Sequence, residues 1–545
     1  MKSTLLVTFI LLVSSCYSQS PFNGEIRWGE PQKSKFNTIP DPIGYVGNKL
    51  FVTQSKRSKH TLESYDIQSL GFNSSDNLAF EYKGNKLGKN KEFIVDDDLV
   101  FITDYKNKSQ KKLYYFIQRY KNGGKLSDPI PIATIDYTRI PNYGITKKGA
   151  KRAAQGRNAF KIVQSKDKKL LLALYAEEIL DEGSQTWTAK LFNTSLEEVW
   201  KYAFIVPEKG SVFIDQIKVS NDGVAYAMGM SIFDVEMDPR SISVIGENVY
   251  SFVSDSLFFL KIDGKNEEII ISEITTPMDQ DVASVAFDLV DGGLMFYGMF
   301  GKREKNLVTG TFFVKMDFDG NELFSTKDDF DVDFITQHWK DRKKNKAKKK
   351  EENSGKKPKM YKYILRDLLQ KENGELILTA EQYYVYTSIT TTSGADGSMN
   401  TTENTNYVYN DIIVVNCDKN GAILWKSLVH KKQKSVNDGG YFSSFFGITS
   451  GDDLFLIFND SEYDVNKEEL EGANLGAKIK AKWNTVASFV AFDNSGEQSH
   501  EILFDFPDDR RRKLVPKVCG KISENEIFLF TKTKKRMTVL GVVNF

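Results

Sequence analysis

Two short stretches hold the side chains best suited to chemistry. Glu381-Gln-Tyr-Tyr-Val-Tyr386 sets a carboxylate and an amide beside three phenols, and Asn437-Asp-Gly-Gly-Tyr-Phe-Ser-Ser444 sets an amide, a carboxylate and a phenol around paired glycines. Flat apolar rings with polar tips suit the binding of a sugar or a peptide. Glu381, Gln382, Tyr383, Tyr384, Asn437, Asp438 and Tyr441 are therefore candidate ligand contacts. His338, beside Trp339 at the head of a basic run, is an eighth. The competing reading is that the aromatics pack between sheets. The two readings weigh evenly for Tyr383 and Tyr384, and packing is the better account of Phe442.

Bond-making chemistry has weaker support. The histidines, His60, His338, His430 and His500, are scattered, and the chain carries no H-E-x-x-H, no G-x-S-x-G and no Gly-rich phosphate loop. Acidic residues are too numerous for spacing to single out a catalytic pair. Asp317-Phe-Asp-Gly-Asn-Glu322 resembles part of a calcium loop but lacks the spacing and closing bidentate glutamate of an EF-hand. No metal site and no cofactor are expected. The favoured function is non-enzymatic: a binding or scaffold protein taking a protein or glycan. The alternative is a polysaccharide hydrolase or lyase with its site at a channel mouth.

The elements that must position these residues repeat. Asp411 to Trp425 reads as a β-branched strand, a tight turn at Asp418 to Gly421, and a second strand. The same pattern recurs at Phe312 to Phe324 and Phe489 to Gly496, and more loosely from Lys190 to Trp200. A second signal, a polar turn between apolar strands, begins near Val46, Asp96, Ser165, Ser220, Val290, Lys371, Ser450 and Ser523. Two hairpins per unit make a four-stranded meander with strands A to D. The fold predicted is all-β, a β-propeller of about eight such blades.

The last unit stops where its fourth strand should begin, and Phe22-Asn-Gly-Glu-Ile-Arg-Trp28 matches Lys419-Asn-Gly-Ala-Ile-Leu-Trp425 as Asn-Gly-x-Ile-x-Trp. The N-terminal strand should therefore complete the last blade, which removes two exposed edges. Seven blades with an N-terminal extension is the other possibility. A–B and C–D turns read as short. The long connections are all B–C or D–A, which emerge on one face: Thr138 to Phe160, Ser231 to Tyr250, Asp331 to Met360, Thr387 to Tyr407, and Asn459 to Trp483 with a helix over Lys467 to Ala481. That face is the candidate binding surface.

Residues 1–18 read as an export signal, with one basic residue, a short apolar core and small residues before Gln19. Val13-Ser-Ser-Cys16 resembles a lipobox, so a lipid anchor at Cys16 is the alternative to simple cleavage. Residues 19–545 form a single domain, expected to be monomeric and exported to the periplasm, the outer-membrane surface or the medium. Its partner would be an envelope protein or glycan. A net charge of +1 argues against nucleic acid. Cys417 and Cys519 read as buried free thiols. The basic run at 341–359 and the Thr/Ser/Asn-rich stretch at 387–405 read as disordered or mobile, because neither carries the apolar residues that offset ordering entropy.

Asp418, Gly421 and Trp425 make the outer hairpin resemble the repeats of quinoprotein-like β-propellers, in which the tryptophan docks on a neighbouring blade. The family pattern has a Thr before the Gly and one more turn residue. Members that bind pyrroloquinoline quinone carry a vicinal cysteine pair that is absent here, so the resemblance implies no such cofactor. The family also includes eight-bladed lipoproteins that act as scaffolds in outer-membrane protein assembly. The sialidase Asp-box spacing is not met. As a whole the chain resembles exported propeller-like proteins of Bacteroidota-type bacteria, most closely from Leu365 to Phe445.

Overall fold

The computed structural model describes residues 26–33, 40–56, 59–121, 124–138, 160–179, 185–206, 211–232, 257–276, 281–302, 306–393, 399–461, 473–474, 485–504, 512–523, 525–533 and 537–544. The expected leader and Cys16, most of the 138–160, 231–250 and 459–483 connections, and most of the expected helix at 467–481 lie outside these residues. Ala473–Asn474, within that last segment, is a short strand paired in parallel with Gln433 and Lys434.

Almost everything described is antiparallel sheet. Eight sheets of four or more strands follow one another along the chain, beside a two-stranded hairpin at 81–86. The first contains Asp41–Val46, Lys49–Lys56, Lys59–Asp66 and Gly71–Leu78 as a simple meander. The next four span 88–136, 160–206, 211–273 and 281–329, the sixth 363–436 and the seventh 445–504. Each of the eight predicted polar turns joins the first two strands of one sheet. The second sheet departs from the predicted loop pattern: its C–D connection, between Lys112–Tyr120 and Ile130–Asp136, is longer than its B–C turn.

The eighth sheet draws on both ends of the described chain. Arg512–Leu514 and Gly520–Lys521 pair with Glu526–Thr533, which pairs with Met537–Asn544. Arg27–Trp28 then pairs with this last strand, Arg27 opposite Val542 and Trp28 opposite Gly541. Leu50, Val52, Tyr65 and Leu70 of the first sheet share one apolar cluster with Val515, Val518, Phe528 and Leu540 of the eighth.

Neighbouring sheets lock at their outer turns. Trp425 stacks on Phe492, with ring centroids 5.6 Å apart, and its Nε1 donates to the Asn494 carbonyl at 3.1 Å. Gly496 lies under that ring at φ +85°, and a Cβ there would stand 2.6 Å from Trp425. Gly264 meets Trp200 in the same way, at 2.1 Å. Asp418, Asp493 and Asp317 each turn a carboxylate oxygen onto backbone N–H groups two and four residues on. Asp317 is thus a turn residue, as its repeat equivalents predicted. Cys417 and Cys519 are buried and free.

Two stretches read as disordered or mobile are ordered. Within 341–359 stands a helix, Asp341–Ser354 (α2), preceded by the short helix Val332–Ile335 (α1). Its Lys, Glu and Ala residues favour helix intrinsically. Ala347 is buried, Lys344 and Lys348 reach Asp333 at 3.2 and 2.6 Å, and Gly355 closes the end at φ +62°. Residues 387–393 and 399–405 extend strands B and C of the sixth sheet, Leu376–Ser393 and Met399–Cys417, in register from Thr387 opposite Thr405 to Ser393 opposite Met399. Their β-branched threonines favour extended backbone, and the ladder supplies order that an apolar face does not.

Two outcomes follow. Removing the chain through Trp28 strips the edge of the eighth sheet and should lower stability, as should Trp28→Ala, by roughly 2–3 kcal/mol for a half-buried indole. An unchanged denaturation midpoint would refute the pairing. Gly496→Ala should cost about 2–4 kcal/mol from ring displacement and positive-φ strain together, against about 1 kcal/mol for Gly47→Ala, where the space is open.

Candidate functional site

Glu381 and Lys431 are both fully buried and lie on strands B and D of the sixth sheet. The Lys431 ammonium donates to Glu381 Oε1 at 2.6 Å and to Gln433 Oε1 at 3.1 Å. Glu381 Oε2 accepts from Ser444 Oγ at 2.8 Å, from Arg366 Nε at 2.8 Å and from Arg366 Nη2. Burial alone would push the Glu381 carboxyl up. Lys431 and Arg366 outweigh that and hold it below the usual glutamate range.

The network continues into the next two sheets. Gln433 Oε1 also accepts the Ser444 N–H at 2.8 Å, and Gln433 Nε2 donates to the Asn459 carbonyl at 2.7 Å. Asn459 Nδ2 donates to the carbonyls of Phe442 and Leu514 at 2.7 and 2.8 Å. The connection from sheet six to sheet seven is thereby held in a conformation it would not adopt alone: Asn437, Gly439, Gly440 and Ser444 all have positive φ. Ser444, a buried non-glycine at φ +77°, is pinned through both its backbone N–H and its hydroxyl.

Beside this network lies a group of rings and cations. Tyr383 and Tyr409 face each other across strands B and C, with centroids 4.6 Å apart. The Arg366 guanidinium carbon is 5.8 Å from each ring. Lys517 Nζ, from the 3₁₀ turn Pro516–Val518, donates to the Tyr409 hydroxyl at 3.0 Å. Tyr441 meets Phe442 edge-on at 4.7 Å, and Lys513 lies 5.3 Å above the Phe442 ring. Burial pulls the Lys513 ammonium down to about 7, with Asp438 opposing. Burial pushes the Asp438 carboxyl up. Cations over aromatic faces, flanked by a guanidinium, suit an anionic or aromatic-stacking ligand.

Of the eight candidate residues, the structure brings Tyr383, Asp438 and Tyr441 to this region. Glu381 is there too, but as a correction to its expected role: with both oxygens occupied and no exposed surface, it positions Arg366 and Ser444 and does not meet a ligand. Gln382 turns to the Tyr361 carbonyl and to Asn410 at 3.0 and 2.9 Å. Tyr384 stacks with Tyr386 under Lys362. Asn437 is exposed and ties down the ribbon, accepting from the Thr405 N–H at 2.8 Å. His338, in the turn after α1, packs against strand D of the sheet, its ring parallel to His430 at 5.3 Å and its Nε2 on the Leu428 carbonyl. It helps dock the helical insertion. Sequence reading missed Arg366, Tyr409, Lys431, Lys513 and Lys517. A charged residue within an apolar inner strand, Leu365-Arg-Asp-Leu368, was the available signal for Arg366. Lys513 stands in the basic run Arg510-Arg-Arg-Lys513, which carries no pattern that marks a site.

No family model matches the chain, and no curated protein matches it in sequence. Among solved structures it is similar to the Dos1 propeller, at 10% identity and a TM-score of 0.45, covering 95% of each chain. It is also similar to the WD40 domain of SCAP from fission yeast, at 8% identity, a TM-score of 0.36, and coverage of 96% of this chain and 98% of that one. The polysaccharide lyase Uly1 matches at 10% identity and a TM-score of 0.35, over 97% of this chain and 94% of that one. Likenesses this distant carry no chemistry.

Lys431→Met should cost about 3–5 kcal/mol, because it strips a buried carboxylate of one of its two cations, and denaturant melts will show whether it does. Between pH 7 and 10 the unfolded chain holds the Lys513 proton and the folded one releases it. Stability should therefore fall as pH drops through that window, by up to about 1.4 kcal/mol per unit. Lys513→Met should flatten that slope.

Proposed function

We propose that this chain is an eight-bladed β-propeller, closed by its N-terminal strand, that acts in the bacterial cell envelope as a binding or scaffold protein for a protein or glycan. The sheet order, the pairing of Arg27–Trp28 with the last strand, and the cluster joining the first and eighth sheets support the ring. The leader is read as cleaved after Ser18, with lipidation of Cys16 as the other route to the envelope, and the mature protein as a monomer.

One observation carries the preference for binding over catalysis. The carboxylate at the centre of the site, Glu381, is held ionised by two cations and fully occupied by protein donors. It has neither the proton of a general acid nor the exposure of a nucleophile. What lies around it is aromatic and cationic, with Tyr383, Tyr441, Phe442 and Lys517 partly exposed. The test is calorimetry with uronic-acid and neutral oligosaccharides, alongside assays for new reducing ends and unsaturated products. Binding of the acidic series, weakened at least about tenfold by Tyr383→Ala, is the expected result. Product formation abolished by Glu381→Gln would replace this reading with the hydrolase or lyase.

A further inference from the structure

Between Lys340 and Lys359 stand eleven lysines and arginines against three acids, in a chain whose net charge is only +1. The remainder of the protein is therefore net negative. The fold turns this run into α2 and divides its charges between two faces. Lys344, Ala347, Lys348 and Glu351 recur at helical spacing and are the half-buried or buried positions. They form the docked face, fixed through Asp333. Arg342, Lys346, Lys349 and Lys350 lie opposite, within about 100° of arc and over about 12 Å of helix axis. All four are exposed, and among the described residues none of them meets an acid.

We infer that this outer face of α2 is a docking surface for an anionic membrane, held by attraction to lipid headgroups without insertion. Charge complementarity names the occupant's sign. The shape of the surface names its kind. The stripe is convex and carries no aromatic ring, so it has neither walls for a single sugar chain nor a platform for stacked bases. A flat field of headgroups meets all four cations at once. It carries no apolar residue either, which rules against burial of the helix among the acyl chains. The net acidic remainder is repelled by the same surface, so the molecule would approach it helix first. This inference is independent of the ligand site described above.

The experiment is co-sedimentation of the full mature chain with vesicles of phosphatidylcholine alone, or with about 30% phosphatidylglycerol. The expected result is binding to the anionic vesicles only, lost at about 0.5 M salt, where charge screening is strong. A quadruple variant, Arg342→Gln, Lys346→Gln, Lys349→Gln and Lys350→Gln, should reduce the bound fraction at least tenfold. Its thermal melt should be unchanged, because the docked face is untouched. Equal binding by the variant, or no binding to anionic vesicles, overturns the proposal. Retention on heparin or single-stranded DNA without vesicle binding would assign the stripe to a polyanionic chain and overturn it equally.

Discussion

The Glu381–Lys431 pair, completed by Arg366, is the contact on which the surrounding structure depends. Two opposite charges taken wholly out of water are costly, and they persist only where geometry and further hydrogen bonds recover the loss. Here the recovery is shared among elements distant in sequence: three strands of the sixth sheet, the strained connection after it, and, through Gln433 and Asn459, the seventh and eighth sheets. The polar network thus fixes the angle between sheets that apolar packing alone would leave free to slide. Specificity of this kind is a use to which buried ion pairs are well suited, even where their net contribution to stability is small.

The outer rim solves the same problem by shape. A tryptophan from one sheet lies where a glycine of the next has no side chain, at Trp425 on Gly496 and Trp200 on Gly264. The contact admits one spacing, and repetition of the turn sequence carries that spacing along the chain. Polar fastening near the candidate site and aromatic fastening at the outer turns together hold neighbouring sheets in place.

Much of this was legible in the sequence. The eight polar turns and the Asp-led turns at Asp317, Asp418 and Asp493 report local geometry, which sequence encodes directly. The candidate site was half legible. Tyr383, Asp438 and Tyr441, conspicuous as ring and acid types near a loop, lie together in the structure. Arg366, Lys431 and Lys513 were not legible, because their partners come from other sheets and no local pattern announces them. Nor did composition reveal α2. A helix that docks through one alanine and a pair of lysines lacks the apolar stripe that marks most surface helices.

The pairing of Trp28 with Gly541 has a consequence for how the molecule comes into being. Trp28 is partnered by Gly541 across about 500 residues of intervening chain, and contacts of such separation form late. Until then Arg27–Trp28 has no strand to join and the first sheet has one flank bare. The strand Arg27–Trp28 therefore waits on the whole of the intervening chain before its edge of the eighth sheet can form.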